Sequence, residues 1–141
     1  MSWFSPKAER FVEIKNTAGD ILARIPGHDL HNKDLRGLVL NHAVFDGQEL
    51  WGSNFDGCSM VGVQATRASF QFCSLKNVDL SYARLERASF ANAEMQGACL
   101  YKAETWGAKL EGALVSPDTD IPDNPKTGRG RMVVRERRLV A

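Results

Sequence analysis

From Leu30 to Leu110 a large apolar residue recurs at every fifth position without an insertion. The series is Leu30, Leu35, Leu40, Phe45, Leu50, Phe55, Met60, Ala65, Phe70, Leu75, Leu80, Leu85, Phe90, Met95, Leu100, Thr105 and Leu110; only Ala65 and Thr105 are poor members, and Val115 takes the next step. Two residues before most of these stands a small one: Ala43, Ser53, Cys58, Ala68, Cys73, Ala83, Ala88, Ala93, Ala98, Ala103, Ala108 and Ala113, with Val63 and Val78 as larger substitutes. A period of five fits neither an α-helix, at about 3.6, nor a strand, at about 2. Each unit must therefore contain a turn that brings the chain back to an equivalent position. One large and one small inward residue per unit is what a narrow interior holds at close packing. The residue after each large one is mostly polar and suits the outside. The next is often glycine, as at Gly37, Gly47, Gly52, Gly57, Gly62, Gly97, Gly107 and Gly112, which a tight corner favours.

Before the repeat, Phe11-Val12-Glu13-Ile14-Lys15 and Ile21-Leu22-Ala23-Arg24-Ile25 are β-prone runs joined by the turn composition Asn16-Thr17-Ala18-Gly19-Asp20. They predict a β-hairpin. A stacked repeat exposes an apolar cross-section and unpaired edges at its ends, so the hairpin reads as an N-terminal cap, with Trp3 and Phe4 adding to the cover. After Val115 the pattern stops. Ser116 to Pro125 is a loop by composition, and Lys126 to Arg131 is glycine-rich and basic. Met132-Val133-Val134 and Leu139-Val140 flank Arg135-Glu136-Arg137-Arg138; these apolar groups read as a strand or short helix that covers the C-terminal end or pairs with a second subunit, or else as part of a basic arm. The chain thus divides into a segment and hairpin over 1–27, a repeat body over 28–115 and a tail over 116–141.

Units such as Val78-Asp79-Leu80-Ser81-Tyr82, Ala88-Ser89-Phe90-Ala91-Asn92 and Ala108-Lys109-Leu110-Glu111-Gly112 resemble those of the pentapeptide repeat family, which look like Ala-Asp/Asn-Leu followed by two variable residues. The resemblance covers roughly residues 28–115 in seventeen in-phase units. It implies an all-β fold, a right-handed quadrilateral β-helix with four units per coil and about four coils, stacked at ~4.8 Å each. Residues twenty apart would then form four central columns: Leu30-Leu50-Phe70-Phe90-Leu110, Leu35-Phe55-Leu75-Met95-Val115, Leu40-Met60-Leu80-Leu100 and Phe45-Ala65-Leu85-Thr105. The fourth holds both weak positions and is expected to pack more loosely. His28, Lys33, Leu38 and Gln48 take small-residue positions, so the first coil reads as a transition from the cap, with His28 turned inward.

Hydrophobic residues make up 43% of the chain and charged residues 25%, an ordinary soluble composition. The net charge of +1 argues against a strongly basic nucleic-acid binder. No apolar run approaches the roughly 20 residues that span a bilayer. The start carries no basic segment followed by an apolar one, so a cytoplasmic protein is expected, or one within a particle assembled in the cytoplasm. Cys58, Cys73 and Cys99 lack metal-type spacing, and the first two fall on inward positions. His28, His31 and His42 lie near Asp29, Asp34 and Asp46 but on different faces, so no metal site is expected. No nucleophile–base arrangement or phosphate loop stands out, and neither a catalytic residue nor a cofactor is expected.

What remains is the outside. The third face carries Val39, Val61, Tyr82, Cys99 and Tyr101 as an apolar stripe among Asn41, His42, Asp79 and Lys102. Trp51 lies one coil below Phe72 on the first face. On the fourth, Arg67 and Arg87 stack near Arg84, Glu86, Glu104 and Trp106, a grouping that reads as a solvated ion-pair network before an anion site. Contiguous apolar stripes mark contact surfaces. The candidate interface is therefore Val39, Val61, Tyr82, Tyr101, Trp51, Phe72 and Trp106. The expected function is a non-enzymatic structural or protein-interaction module, bound to a protein partner or to itself as a homo-oligomer, or built into a phage or secreted particle. The resemblance implies one alternative. The family's best-known members modulate type II topoisomerases by imitating DNA, and they are dimeric and markedly acidic. Residues 28–115 carry ten acidic and eight basic side chains, a net of −2, which runs against it.

Overall fold

A left-handed corner in every unit is what folds the five-residue count into a coil. The computed structural model describes residues 10–120 and the backbone of Val134–Arg135 and Arg138–Leu139. Trp3, Phe4, Lys126 to Arg131, Met132, Val133 and Val140 lie outside the described residues. In each unit from Leu35 to Leu110 the amide three residues past the inward centre donates to that centre's carbonyl, as Ala43 does to Leu40 at 3.1 Å and Cys58 to Phe55 at 2.9 Å. The second residue past the centre has φ between 53° and 75° at every unit from Asn32 to Gly112. Positive φ at the third residue of a β-turn is the type II signature, which glycine meets at least cost. Only eight of these corners are glycine; the other nine are Asn32, His42, Arg67, Phe72, Asn77, Tyr82, Arg87, Asn92 and Lys102.

Between corners the backbone runs straight for long enough to pair with the coils above and below. Parallel bridges join residues twenty apart, from Asp34–Asn54 to Glu94–Leu114. Around Leu80, for instance, the Leu80 amide donates to Cys99 O at 2.7 Å and the Asp79 amide to Cys58 O at 3.1 Å. Four units therefore close one coil. The last bridge, Cys99–Asp120, spans one residue more. The extra residue is taken up in a turn over 116–119, closed by the Thr119 amide on Ser116 O at 2.9 Å and anchored by Thr119 Oγ1 on Met95 O at 2.9 Å.

The central columns are buried from Leu30 to Val115, Ala65 and Thr105 included. Phe70 and Phe90 lie one above the other, ring centroids 5.0 Å apart and planes 2° from parallel, while Phe55 meets Phe70 edge-on at 5.9 Å. Polar members of the small column are satisfied inside: Ser53 Oγ donates to Leu30 O, Cys58 Sγ to Leu35 O at 2.9 Å and Cys73 Sγ to Leu50 O at 3.0 Å. His28 departs from the expected inward placement. It is exposed, with Nδ1 3.3 Å from Arg10 Nη1. Gln48, one coil above, is exposed too, because no inward side chain lies beneath it.

Strand β1 (Phe11–Lys15) pairs antiparallel with β2 (Ile21–Pro26). Asn16 shapes their turn, its Oδ1 accepting from the amides of Ala18 at 3.0 Å and Asp20 at 2.9 Å. Ile14 is buried, and Val12, Leu22, Ala23 and Ile25 pack on the core. The Val44 amide donates to Lys15 O at 2.9 Å and the Thr17 amide to His42 O at 3.0 Å. One coil on, the equivalent Gln64 amide donates to the coil beneath, at Ala43 O. On this face the hairpin thus supplies the acceptor that a lower coil would have supplied. Farther along, β3 (Val134–Arg135) pairs antiparallel with β4 (Arg138–Leu139). Among the described residues no helix is long and apolar enough to cross a membrane.

Candidate functional site

At five of the nine non-glycine corners the side chain leans toward the next coil, where a glycine makes the room. A methyl group on Gly62 would sit 2.6 Å from His42 Nδ1, and one on Gly107 would sit 3.1 Å from Arg87 Cγ. Asn32, Asn77 and Asn92 stand in the same relation to Gly52, Gly97 and Gly112. Arg67, Phe72 and Tyr82 have no glycine twenty residues on; Arg87, Asn92 and Lys102 stand there instead. Phe72 is 64% exposed and Tyr82 54%. A left-handed backbone costs a bulky L-residue about 1–2 kcal/mol that glycine avoids. The fold thus carries aromatic side chains, turned to water, at corners whose backbone glycine adopts at less cost.

On the third face Tyr82 and Tyr101 meet edge to face, with centroids 5.8 Å apart and planes at 89°. Lys102 Nζ lies 5.5 Å from the Tyr101 ring and 6.0 Å from that of Tyr82. The three form one group, two rings and a cation. Val39 is exposed in the first coil of this face, and Val61 is half-buried. On the first face Trp51 packs on His31 at 4.6 Å, and His31 lies 3.8 Å from both Asp29 and Glu49. Phe72, in the coil above, makes no ring contact among the described residues. Among the described residues no three metal-ligating side chains converge.

The fourth face differs from its sequence reading. Among the described residues Arg67, Arg84 and Arg87 make no ion pair. The acids nearby are engaged elsewhere: Asp46 Oδ1 accepts the Thr66 amide at 2.9 Å and Glu86 Oε2 accepts Thr66 Oγ1 at 3.2 Å. Burial would raise the Glu86 carboxyl, but hydrogen bonds from Glu104, its own amide and Thr66, with Arg84 nearby, outweigh it and hold the group below its ordinary range. The Arg87 guanidinium lies over Trp106 instead, 4.9 Å from the ring centroid. Asp46, Gly47, Thr66, Arg67, Glu86 and Arg87 line an open groove of about 650 Å³.

Two of the three cysteines are buried thiols. Burial pushes the Cys73 thiol up to about 12 and raises that of Cys58, so both stay protonated and unreactive at neutral pH. Cys99 is half-buried beside Ser81 Oγ at 3.4 Å.

Comparison with known proteins agrees with this architecture. The family model for pentapeptide repeats matches in 8 copies, over residues 49–81 and 68–104. Among solved structures, HetL, a pentapeptide repeat protein involved in heterocyst differentiation regulation from the cyanobacterium Nostoc, is 34% identical over 67% of this chain and 43% of its own, with a TM-score of 0.61. QnrB1, a plasmid-mediated fluoroquinolone resistance protein, is 22% identical over 62% of this chain and 45% of its own, with a TM-score of 0.56. The matched part spans less than half of either protein's length. None of the curated proteins compared matches. The fold shared with these structures is the right-handed β-helix.

Proposed function

We propose, on the premise that this chain carries the repeats of the pentapeptide repeat family, that it is a non-enzymatic module whose third face docks a protein partner or a second copy of itself. Domains built from these repeats serve in protein interactions. The observation that carries the reading is the corner at Tyr82. An exposed aromatic residue occupies a left-handed backbone position, φ 59°, that glycine fills one coil below at Gly62. Strain kept at a surface position that glycine would relieve points to use of the side chain. Tyr101 and Lys102 extend it into a patch of two rings and a cation, the residue types enriched at interface hot spots being aromatic. Val39 and Val61 extend the patch on the same face, while the exposed Trp51 and Phe72 on the first face and Trp106 on the fourth lie outside it. Imitation of DNA toward a type II topoisomerase draws no support from the charge of the repeat body, a net of −2.

Glycine supplies a test in which folding and docking part company. Tyr82→Gly removes the ring and relieves the corner, so the melting temperature should stay within a few degrees of wild type. Partner capture from native lysate, or the mass seen by light scattering after size exclusion, should fall at least tenfold in Tyr82→Gly and in Tyr101→Ser. A strict monomer that captures nothing and is indifferent to both substitutions overturns the proposal.

A further inference from the structure

We propose that the fourth-face groove is a second docking site, which takes an acidic or phosphorylated segment of a protein partner and holds its oxyanion between Arg67 and Arg87. This site lies on a different corner from the Tyr82–Tyr101 patch and depends only on the chain being an interaction module.

The groove has the size for a side-chain headgroup, about 650 Å³, and is open to solvent. Its two arginines occupy the same corner of successive coils, so their backbones are about one strand spacing apart, ~4.8 Å. Neither has a carboxylate partner among the described residues. Like charges set opposite one another on neighbouring strands destabilise the pair. Both residues also hold the left-handed backbone, φ 60° at Arg67 and 58° at Arg87, while Gly47 below and Gly107 above show what the fold accepts at no such cost. The fold alone has two reasons to reject this ladder, and an anion bound between the guanidiniums removes the first.

Arg87 is also held in place. Its stem uses the space beside Gly107, and its guanidinium rests on Trp106 at 4.9 Å, which limits the rotamers that binding would otherwise have to freeze. A planar guanidinium fork matches carboxylate and phosphoryl oxygens alike. Thr66, on the groove wall, donates its amide to Asp46 and its hydroxyl to Glu86, so one oxygen of each acid is engaged away from the arginines. The groove lining sets Arg67 and Arg87 against Asp46 and Glu86, with Arg84 and Glu104 beside Glu86, so its charges balance. Net charge therefore supplies little long-range steering. Binding has to come from contact geometry, which sets a modest, salt-sensitive affinity and favours a tethered anionic group over a free one.

The test titrates the intact protein with three probes: a fluorescent glutamate-rich peptide, the same peptide carrying phosphoserine, and inorganic phosphate. Anisotropy reads the peptides, and the melting temperature reads all three. At least one peptide should bind, raise the melting temperature and release with added salt. Its affinity should fall at least tenfold in Arg67→Gly and in Arg87→Gly, both of which should melt no lower than wild type in the absence of probe; Arg67→Gln serves if a glycine variant folds poorly. Tyr82→Gly should bind the peptide as wild type does, which separates failure of this site from failure of the third face. No peptide binding at millimolar concentration, or binding indifferent to the arginine substitutions, overturns the proposal. Inorganic phosphate bound as tightly as the phosphopeptide also overturns it, by assigning the groove to a small free anion.

Discussion

Phe70 and Phe72 stand two residues apart and bear opposite relations to the fold. Phe70 is fully buried between Phe55 and Phe90, and Phe70→Ala should cost about 3–5 kcal/mol, the usual range for such a truncation. Phe72 turns outward from a strained corner, so Phe72→Gly should leave the melting temperature unchanged or raise it; a drop of more than about 2 kcal/mol in stability would mean that the ring holds the fold together. The inward role of Phe70 was readable from the count of five. The strain at Phe72 was not, since an exposed aromatic on a list of residues looks the same whether φ is negative or positive. Only the coincidence of position 72 with positions held by glycine elsewhere carried the signal, and that needs the corner geometry to interpret. His28 shows the reverse failure. It sits on the small-residue phase, yet it turns to water because the count has no neighbour beneath it to enforce an inward side chain.

The corner is the element of this protein, as a helix or strand is of others. Its glycines fall into two classes that the sequence does not distinguish. Those above a leaning side chain, such as Gly97 over Asn77, have both a left-handed backbone and no room for a Cβ; those in the open, such as Gly57, have only the backbone constraint. Gly57→Ala should therefore cost about 1–2 kcal/mol. Gly97→Ala should cost more, and the excess should disappear when Asn77→Gly is added, which denaturant titration of the single and double variants will measure. Equal costs at the two glycines would remove the distinction. The register of the coils was legible because large and small inward positions alternate with polar ones over many units, so that slipping by one residue would expose a whole column. The fourth face was not legible. Opposite charges close in sequence suggested ion pairs, but Thr66 and Trp106 compete for the same groups and win by geometry.

At the scale of the molecule, the stacked columns share one interior, and damage to an inner coil removes neighbours from two others. Leu80 is fully buried near the middle. Leu80→Asp forfeits roughly 1.5–3 kcal/mol of burial. It also leaves a carboxylate without a partner, which costs several more. Against a typical total of about 5–15 kcal/mol, loss of the cooperative melt is the expected outcome, followed by circular dichroism. A melt like that of wild type would refute the register. The hairpin over Phe11–Pro26 was legible from its turn residues, whereas its attachment through Lys15 and Thr17 was not, because those contacts use backbone atoms that any residue supplies.

The bridges between residues twenty apart have a consequence for how such a molecule can change in length. Every corner, column and rung keeps its place when a whole coil is added or removed, and none does when a single residue is. Size is therefore quantised: a gene encoding this body can drift by sixty nucleotides at a stroke and still specify the same outline, taller or shorter by one layer. The turn over 116–119 is the exception that marks the rule. Its extra residue is accommodated where, among the described residues, a single bridge, Cys99–Asp120, remains to be made. The same insertion a coil lower would put every later Leu and Phe out of step with the columns beneath it.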